Sequence, residues 1–169
     1  MLPCKGNDIV RDNRKWYSPN WTERGKVTFC EECYHQFVKD TSLSGHIRND
    51  GEFEACCCDF NLDMKKQWEL AVNKDDIEQF QQYLDKIEKF NLLKAKMDIE
   101  LARQRALLKQ KGEVIALSLL SDDSEDKYQY NGYTYGNRYD AESRQIDDKL
   151  DESRKNYNYY YDQANKLWD

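Results

Sequence analysis

Six cysteines stand at positions 4, 30, 33, 56, 57 and 58, and thiolates are soft metal ligands. Four of them brought together tetrahedrally make a structural zinc site. Cys30-Glu31-Glu32-Cys33 is a C-x-x-C pair, which delivers two sulfurs from one turn. Cys4 lies upstream and Cys56-Cys57-Cys58 downstream, so the candidate metal ligands are Cys4, Cys30, Cys33, Cys56 and Cys58. As a C-x-C, Cys56 and Cys58 would point to one side of an extended strand with Cys57 opposite. A set of four leaves two spare cysteines, of which Cys57 is taken as one. With so many thiols present, His35 and His46 read as surface residues rather than ligands.

Other chemistries of these cysteines fit less well. A thioredoxin-type C-x-x-C follows a βαβ pattern, and the approach through Val27 and Phe29 supplies none. A c-type haem needs C-x-x-C-H, and Tyr34 intervenes before His35. No basic amphipathic anchor accompanies the Cys56–Cys58 run to favour acylation. MLPCKGNDIVRDNRK contains no apolar core of a secretory signal, so a reducing compartment, cytosol or nucleus, is expected. Clustered cysteines there bind metal more often than they form disulfides.

Catalysis is not expected. G-x-S-x-G, H-E-x-x-H and P-loop motifs are all missing, and a catalytic zinc keeps an open position and usually carries His. Glu31 and Glu32 read as the solvated turn of the C-x-x-C. Arg11, Arg14, Lys15, Arg24 and Lys26 interleave with Trp16, Tyr17 and Trp21, which could stack bases. Phosphate binding needs concentrated positive charge, however. Residues 1–60 carry net −2, residues 61–120 net +1 and residues 121–169 net −5. Nucleic acid is therefore a disfavoured partner, and regulation of nucleic acid or chromatin through the zinc module stands as the alternative reading.

The elements that must position the cysteines follow from composition. The chain has 169 residues, 39% hydrophobic and 34% charged, which predicts a modest core built on aromatic rings. Residues 1–61 hold all the cysteines and cannot build a convincing aliphatic core. Structural zinc, at roughly 10–16 kcal/mol of apparent binding energy in finger peptides, would replace it. Tyr34, Phe37 and Val38 then look like the inner face of a short helix beginning at the metal, a treble-clef-like arrangement.

Residues 62–120 are free of proline and read as helix. A short helix around 62–72 presents Leu62, Lys66 and Leu70. Asp75, with Glu78 three residues on, marks a restart. A long helix over 76–111 follows, about 54 Å at about 1.5 Å per residue. Its stripe opens coiled-coil-like, with Ile77, Phe80, Leu84 and Ile87 at +3, +4 and +3. It then shifts to Phe90, Leu93, Met97, Leu101, Gln104 and Leu108, near an eleven-residue repeat, the spacing of a nearly straight helix. Gly112 weakens or ends it.

Residues 121–137 form an acidic linker in which YQYNGYTY, 128–135, carries a hairpin signal. In the acidic helix 138–169, Ile146, Leu150, Ser153, Tyr157, Tyr160, Ala164 and Leu167 recur at alternating spacings of four and three. An antiparallel hairpin of the two helices would bury both stripes. The expected fold is thus a small zinc-stapled α+β module followed by a mostly α, long helical hairpin. No apolar run approaches the roughly 20 residues of a membrane span.

The motifs WYSP (16–19), FCEECYHQFV (29–38), CCCDF (56–60), MKKQWELA (64–71) and NKDDIEQF (73–80) together resemble a pattern in uncharacterised, mostly fungal cysteine-rich proteins. That pattern reads W-Y-x-P, C-x-x-C-Y, C-x-C-D, M-x-x-x-W/F-x-x-A and N-D-x-x-x-F. It places a cysteine pair upstream where this chain has only Cys4. The resemblance implies a small metal-stapled fold and no particular activity. The function expected is a non-enzymatic protein-interaction scaffold, monomeric or dimeric through the long helix.

Overall fold

The fold comes from a computed structural model that describes residues 2–122 and 136–168, with the backbone alone for 120–122 and 136–138. The tyrosine hairpin predicted for 128–135 falls outside the described residues, as does most of the 121–137 linker. The chain divides into two compact units, Met1–Asp85 and Lys86–Asp169.

In the first unit, strands β1 (Lys15–Pro19), β2 (Phe29–Cys30) and β3 (Ile47–Glu52) form an antiparallel sheet in the order β2-β1-β3. Helix α1 (Glu31–Phe37) follows β2 directly, and α2 (Leu62–Lys74) follows the last cysteines. β1 is central, which explains why Trp16, Tyr17, Ser18 and Pro19 are buried together instead of alternating with solvent. Trp16 pairs with Gly51 but Tyr17 with Asn49, so Asp50 is an extra residue, a β-bulge. Gly51 takes the left-handed φ of +81° beside it. The bulged Asp50 is buried, accepting from the Ser18 hydroxyl at 2.6 Å and from Arg48 Nε at 2.7 Å.

The core of this unit is aromatic, as composition predicted. Trp16, Phe29, Trp68 and Phe80 are each no more than 2% exposed. Phe29 packs on Phe60 with ring centres 4.6 Å apart, and Trp68 meets Phe80 edge-on at 5.1 Å. Unit one therefore extends past the cysteines through α2. The face of α2 differs from the expected Leu62, Lys66 and Leu70: the buried positions are Met64, Trp68 and Ala71, while Leu62 and Leu70 are exposed. Burial follows Trp68, the largest apolar side chain, and the periodicity starts from it. Val38 is buried as expected, but Phe37 is partly exposed, lying under the Lys65 ammonium.

The predicted stop and restart near residue 75 is present, with the caps displaced by one residue. Asp75 closes α2 in the left-handed region, φ 52° and ψ 40°, which a short polar side chain tolerates. Asp76, not Asp75, caps the next helix, its Oδ1 accepting from the Gln79 amide at 3.2 Å.

That helix, α3, runs Ile77–Asp122 and passes through Gly112 without interruption. An interior glycine costs about 1 kcal/mol relative to alanine, and burial of Val114 two residues later offsets it. In the second unit α3 pairs with α4 (Gly136–Asn165). Contacts run antiparallel: Phe90 with Trp168, Lys96 over the Tyr160 ring, Glu100 with Ser153, and Lys111 with Asp147. Leu107, Val114, Ile146 and Leu150 form its apolar core, with Tyr139 packed against it.

The predicted α4 stripe is the buried one: Ile146, Leu150, Ser153 and Ala164 are no more than 4% exposed, and Tyr157, Tyr160 and Leu167 are half-buried between and beyond them. On α3 the predicted stripe is sheltered at Phe90, Leu93, Met97, Leu101 and Gln104, while Leu108 is exposed. Sheltered positions that alternate by four and three run Leu93, Met97, Glu100, Gln104, Leu107, Lys111, Val114 and Ser118. The repeat is a heptad, not an eleven-residue one. Four polar residues stand on it, and they hide it from hydrophobic periodicity.

Glu100 illustrates how such a residue is accommodated. Its carboxylate accepts from the Ser153 hydroxyl at 2.7 Å and from Asn156 Nδ2 at 3.3 Å. Ser153 is fully buried. Ser153→Ala removes a partner from a sheltered acceptor, a loss of about 1–3 kcal/mol. A lowered urea midpoint of the helical circular dichroism signal is the expected result. Among the described residues, no helix is long and apolar enough to cross a membrane.

Candidate metal centre

Three separate pieces of the first unit converge. Cys30 ends β2 and also caps α1, and Cys33 sits in the first turn of that helix, so the C-x-x-C straddles a strand-to-helix corner. Cys58 is placed by a clasp between its own segment and the residues before β2. Thr28 donates its amide to Asp59 Oδ2 at 2.8 Å and its hydroxyl to the Cys57 carbonyl at 2.5 Å, and the Asp59 amide returns a bond to Thr28 O at 2.8 Å. Cys58 thereby lies beside Cys30, whose amide donates to Cys58 Sγ at 3.4 Å.

Cys4 arrives from the other direction. Val10 and Cys56 exchange backbone bonds at 2.8 and 3.1 Å, and the Cys58 amide donates to Gly6 O at 2.9 Å. Gly6 has φ +59°, and its amide donates to Cys4 Sγ at 3.3 Å. That turn is open to glycine without strain. The Cys4 amide donates to the Glu32 carboxylate, and Arg14 Nη1 to the carbonyl of Pro3 at 3.1 Å.

The result is four sulfurs, of Cys4, Cys30, Cys33 and Cys58, all within 4.8 Å of one another. A tetrahedral ion with Zn–S bonds of about 2.3 Å spaces its sulfurs about 3.8 Å apart. The group needs only a small contraction to meet that figure. Three of the four are buried and Cys4 is half-buried. It is the only such group of possible ligands among the described residues, and it contains no histidine or carboxylate.

Its electrostatics also suit a cation. Hydrogen bonds, first from Cys33 and then from Cys58, hold the Cys30 thiol far below its ordinary range. The same bond to Cys30 pushes the Cys33 thiol far up, and Cys58 is pushed up to about 12, with its bond to Cys30 the largest cause. A divalent ion would take all four as thiolates, with release of their protons. Arg14 adds positive charge nearby, which favours the thiolate form of the sulfurs. Its guanidinium is buried, raised in pKa chiefly by its bonds to Asp12 at 2.7 and 2.5 Å and further by Cys30.

Of the five cysteines expected as ligands, Cys56 stands outside this group. Its sulfur lies 3.4 Å from Thr28 Oγ1, and its backbone is held by Val10. The 56–58 run is no continuous strand; Cys56 makes only an isolated bridge, so strict alternation does not carry Cys56 and Cys58 to one site. Cys57 is half-buried with its thiol pushed up by burial. His35 packs edge-on against Tyr17 and Tyr34, and His46 against Trp21, so both are half-buried aromatic partners. Glu32 is not a merely solvated residue, because it holds Cys4. Gly6, Arg14, Thr28 and Asp59 were not singled out from the sequence as parts of the site. Cys4-Lys5-Gly6 and Cys58-Asp59 were the local signals for two of them.

Of the basic and aromatic residues noted as a possible nucleic-acid surface, Arg14, Trp16 and Tyr17 are buried, Trp21 is half-buried, and Arg11, Lys15, Arg24 and Lys26 are exposed. Trp16 and Tyr17 belong to the core, and Arg14 is buried on Asp12. The Arg24 guanidinium donates to Asp50 O and lies over the Phe53 ring.

Asp59 supports the clasp at an ionic cost. Burial raises its pKa, opposed only in part by the bonds from Thr28. A raised acid holds its proton more tightly folded than unfolded. Its contribution to stability is therefore full below the unfolded value near 3.8 and declines as pH rises through the folded one. Asp59→Asn keeps an acceptor for the Thr28 amide without the charge. Relative to wild type, the variant is expected to gain in urea midpoint at pH 7 and to lose that gain near pH 3.

Comparison with protein-family models, with curated proteins and with solved structures gave no match to this chain.

Proposed function

We propose that this chain is a non-enzymatic interaction protein, in which a structural zinc on Cys4, Cys30, Cys33 and Cys58 staples the first unit and the helical pair of the second serves a protein partner. The observation that carries the zinc reading is the convergence of four sulfurs from three chain segments within 4.8 Å. Four cysteines complete a tetrahedral set and leave no position for a water or substrate, the mark of a structural rather than a catalytic ion. The interaction reading is supported by apolar side chains that α3 leaves in solvent. Leu92, Ile99, Leu108 and Leu117 are each more than half exposed, and Ile115 is 45% exposed. Leu92, Ile99 and Leu117 share one side of the helix, and an apolar side of this kind suits a docking partner.

The test begins with metal content. Purified protein should hold one zinc per chain, and cobalt in its place should give the intense charge-transfer and visible bands of a tetrahedral thiolate site. Protein without stoichiometric metal, and with melting indifferent to chelators, would sink the zinc reading. Light scattering on the loaded chain with Leu92→Lys and Ile99→Lys tests whether a second copy is the partner: a dimer that dissociates in the double variant identifies it.

A further inference from the structure

We infer that the four-cysteine site is built as three plus one: Cys30, Cys33 and Cys58 form a fixed cup, and Cys4 is the exchangeable ligand, held in place by Arg14 and Glu32 as positioning residues. This rests on the zinc reading above. The asymmetry lies in how each cysteine is anchored. Cys30 and Cys33 belong to β2 and α1, are at most 1% exposed, and follow Phe29, which is fully buried. Cys58 is 2% exposed, and Phe60 beside it packs on Phe29. Moving any of these three sulfurs means breaking the aromatic core.

Cys4 has no such support. It lies in no helix or strand, and every residue from Leu2 to Ile9 except Cys4 itself is exposed. Leu2 and Ile9, the apolar members of that stretch, are 50% and 72% exposed. The first buried side chain is Val10. Between them the segment is held by polar bonds alone. Arg14 grips the Pro3 carbonyl, Glu32 the Cys4 amide, and Gly6 receives the Cys58 amide. A segment tied by a few polar bonds and by no packed apolar side chain opens locally far more often than a packed one. Opening here removes one ligand and leaves three, so metal enters and leaves through the Cys4 position.

Arg14 is suited to govern that opening. It is 3% exposed and fixed by Asp12, so its grip on Pro3 is preorganised rather than won from a mobile side chain. It acts on the ligand through the main chain and does not touch the ion. Loss of such an outer partner typically lowers metal affinity by about 10–100-fold.

The experiment uses the full chain loaded with cobalt, with release followed against a chromophoric chelator, 4-(2-pyridylazo)resorcinol. Cys4→Ser should retain one cobalt with a three-thiolate spectrum and release it at least about 10-fold faster than wild type, whereas Cys58→Ser should hold no stoichiometric cobalt. Arg14→Met should keep the four-thiolate spectrum and release about 10-fold faster, with Arg14→Lys in between. A second arm avoids dependence on how the variants fold: in zinc-loaded wild-type protein N-ethylmaleimide should modify Cys4 ahead of Cys30, Cys33 and Cys58, read by peptide mass spectrometry. The inference is overturned if Cys4→Ser loses cobalt as completely as Cys58→Ser, if Arg14→Met releases at the wild-type rate, or if the four thiols react together. Wild-type protein that takes up no metal at all defeats the zinc reading itself, and the inference with it.

Discussion

Removing the proposed zinc is expected to unfold the first unit while the helical pair persists. Apparent zinc binding in small finger domains is worth roughly 10–16 kcal/mol, and a whole domain is commonly stable by only about 5–15 kcal/mol. The sheet of this unit has a two-residue strand at one edge, and the sulfurs of its cysteine-bearing segments converge at one place. Without the ion those segments lose their common anchor. Titration with a chelator should therefore abolish the near-ultraviolet signal of Trp16 and Trp68, both buried. Most of the far-ultraviolet helical signal should remain, because Leu107, Val114, Ile146 and Leu150 supply the second unit with its own core. Cys58→Ser should reproduce the chelated state. A near-ultraviolet spectrum that survives complete demetallation would mean that the aromatic core folds this unit unaided.

Trp68→Ala is expected to be the most damaging single change away from the cysteines. The indole is 2% exposed, meets Phe80 edge-on at 5.1 Å, and donates Nε1–H to the Phe37 carbonyl at 3.0 Å. It thus ties α2 to the end of α1 and to the start of α3 at once. Truncating a buried tryptophan to alanine costs about 3–5 kcal/mol. Trp68→Phe keeps much of the packing and strands the carbonyl, at about 1–3 kcal/mol. Denaturant midpoints in metal-loaded protein separate the two contributions. A loss from Trp68→Ala no larger than that from Trp68→Phe would show that the hydrogen bond, not the packing, dominates.

Much of this protein was legible before any coordinates. Cysteines in tight clusters announced a meeting point, and the proline-free, leucine- and lysine-rich stretch announced a long helix. Ile146, Leu150, Ser153, Ala164 and the residues between them kept strict heptad spacing, so α4 and its buried face followed directly. The α3 seam followed only in part: Phe90, Leu93, Met97, Leu101 and Gln104 were in the stripe, but Glu100, Lys111 and Ser118 were not, because polar residues interrupt the hydrophobic period. Polar residues enter a seam when the partner helix offers Ser153, Asn156 or Asp147 to meet them, and that match exists only once the helices are paired. The caps at Asp75 and Asp76 missed by one residue because two adjacent aspartates are equally able to cap, and only the fold shows that Asp75 turns left-handed.

The sequence by itself determined the inventory: soft ligands in separate clusters, aromatic mass in place of aliphatic core, and two helices with complementary stripes. Those are properties of residue type and local spacing, and they survive without knowledge of distant neighbours. Only the tertiary structure decided which cysteines meet. Cys56 and Cys58 are two residues apart and equal as ligands, yet the Thr28–Asp59 clasp turns Cys58 to the cluster and leaves Cys56 beside Thr28 Oγ1. Cys4 joins from 26 residues before Cys30 because Glu32, Arg14 and a left-handed Gly6 bring it there. The choice among chemically identical sulfurs rests on hydrogen bonds between segments far apart in the chain, and no local pattern encodes those.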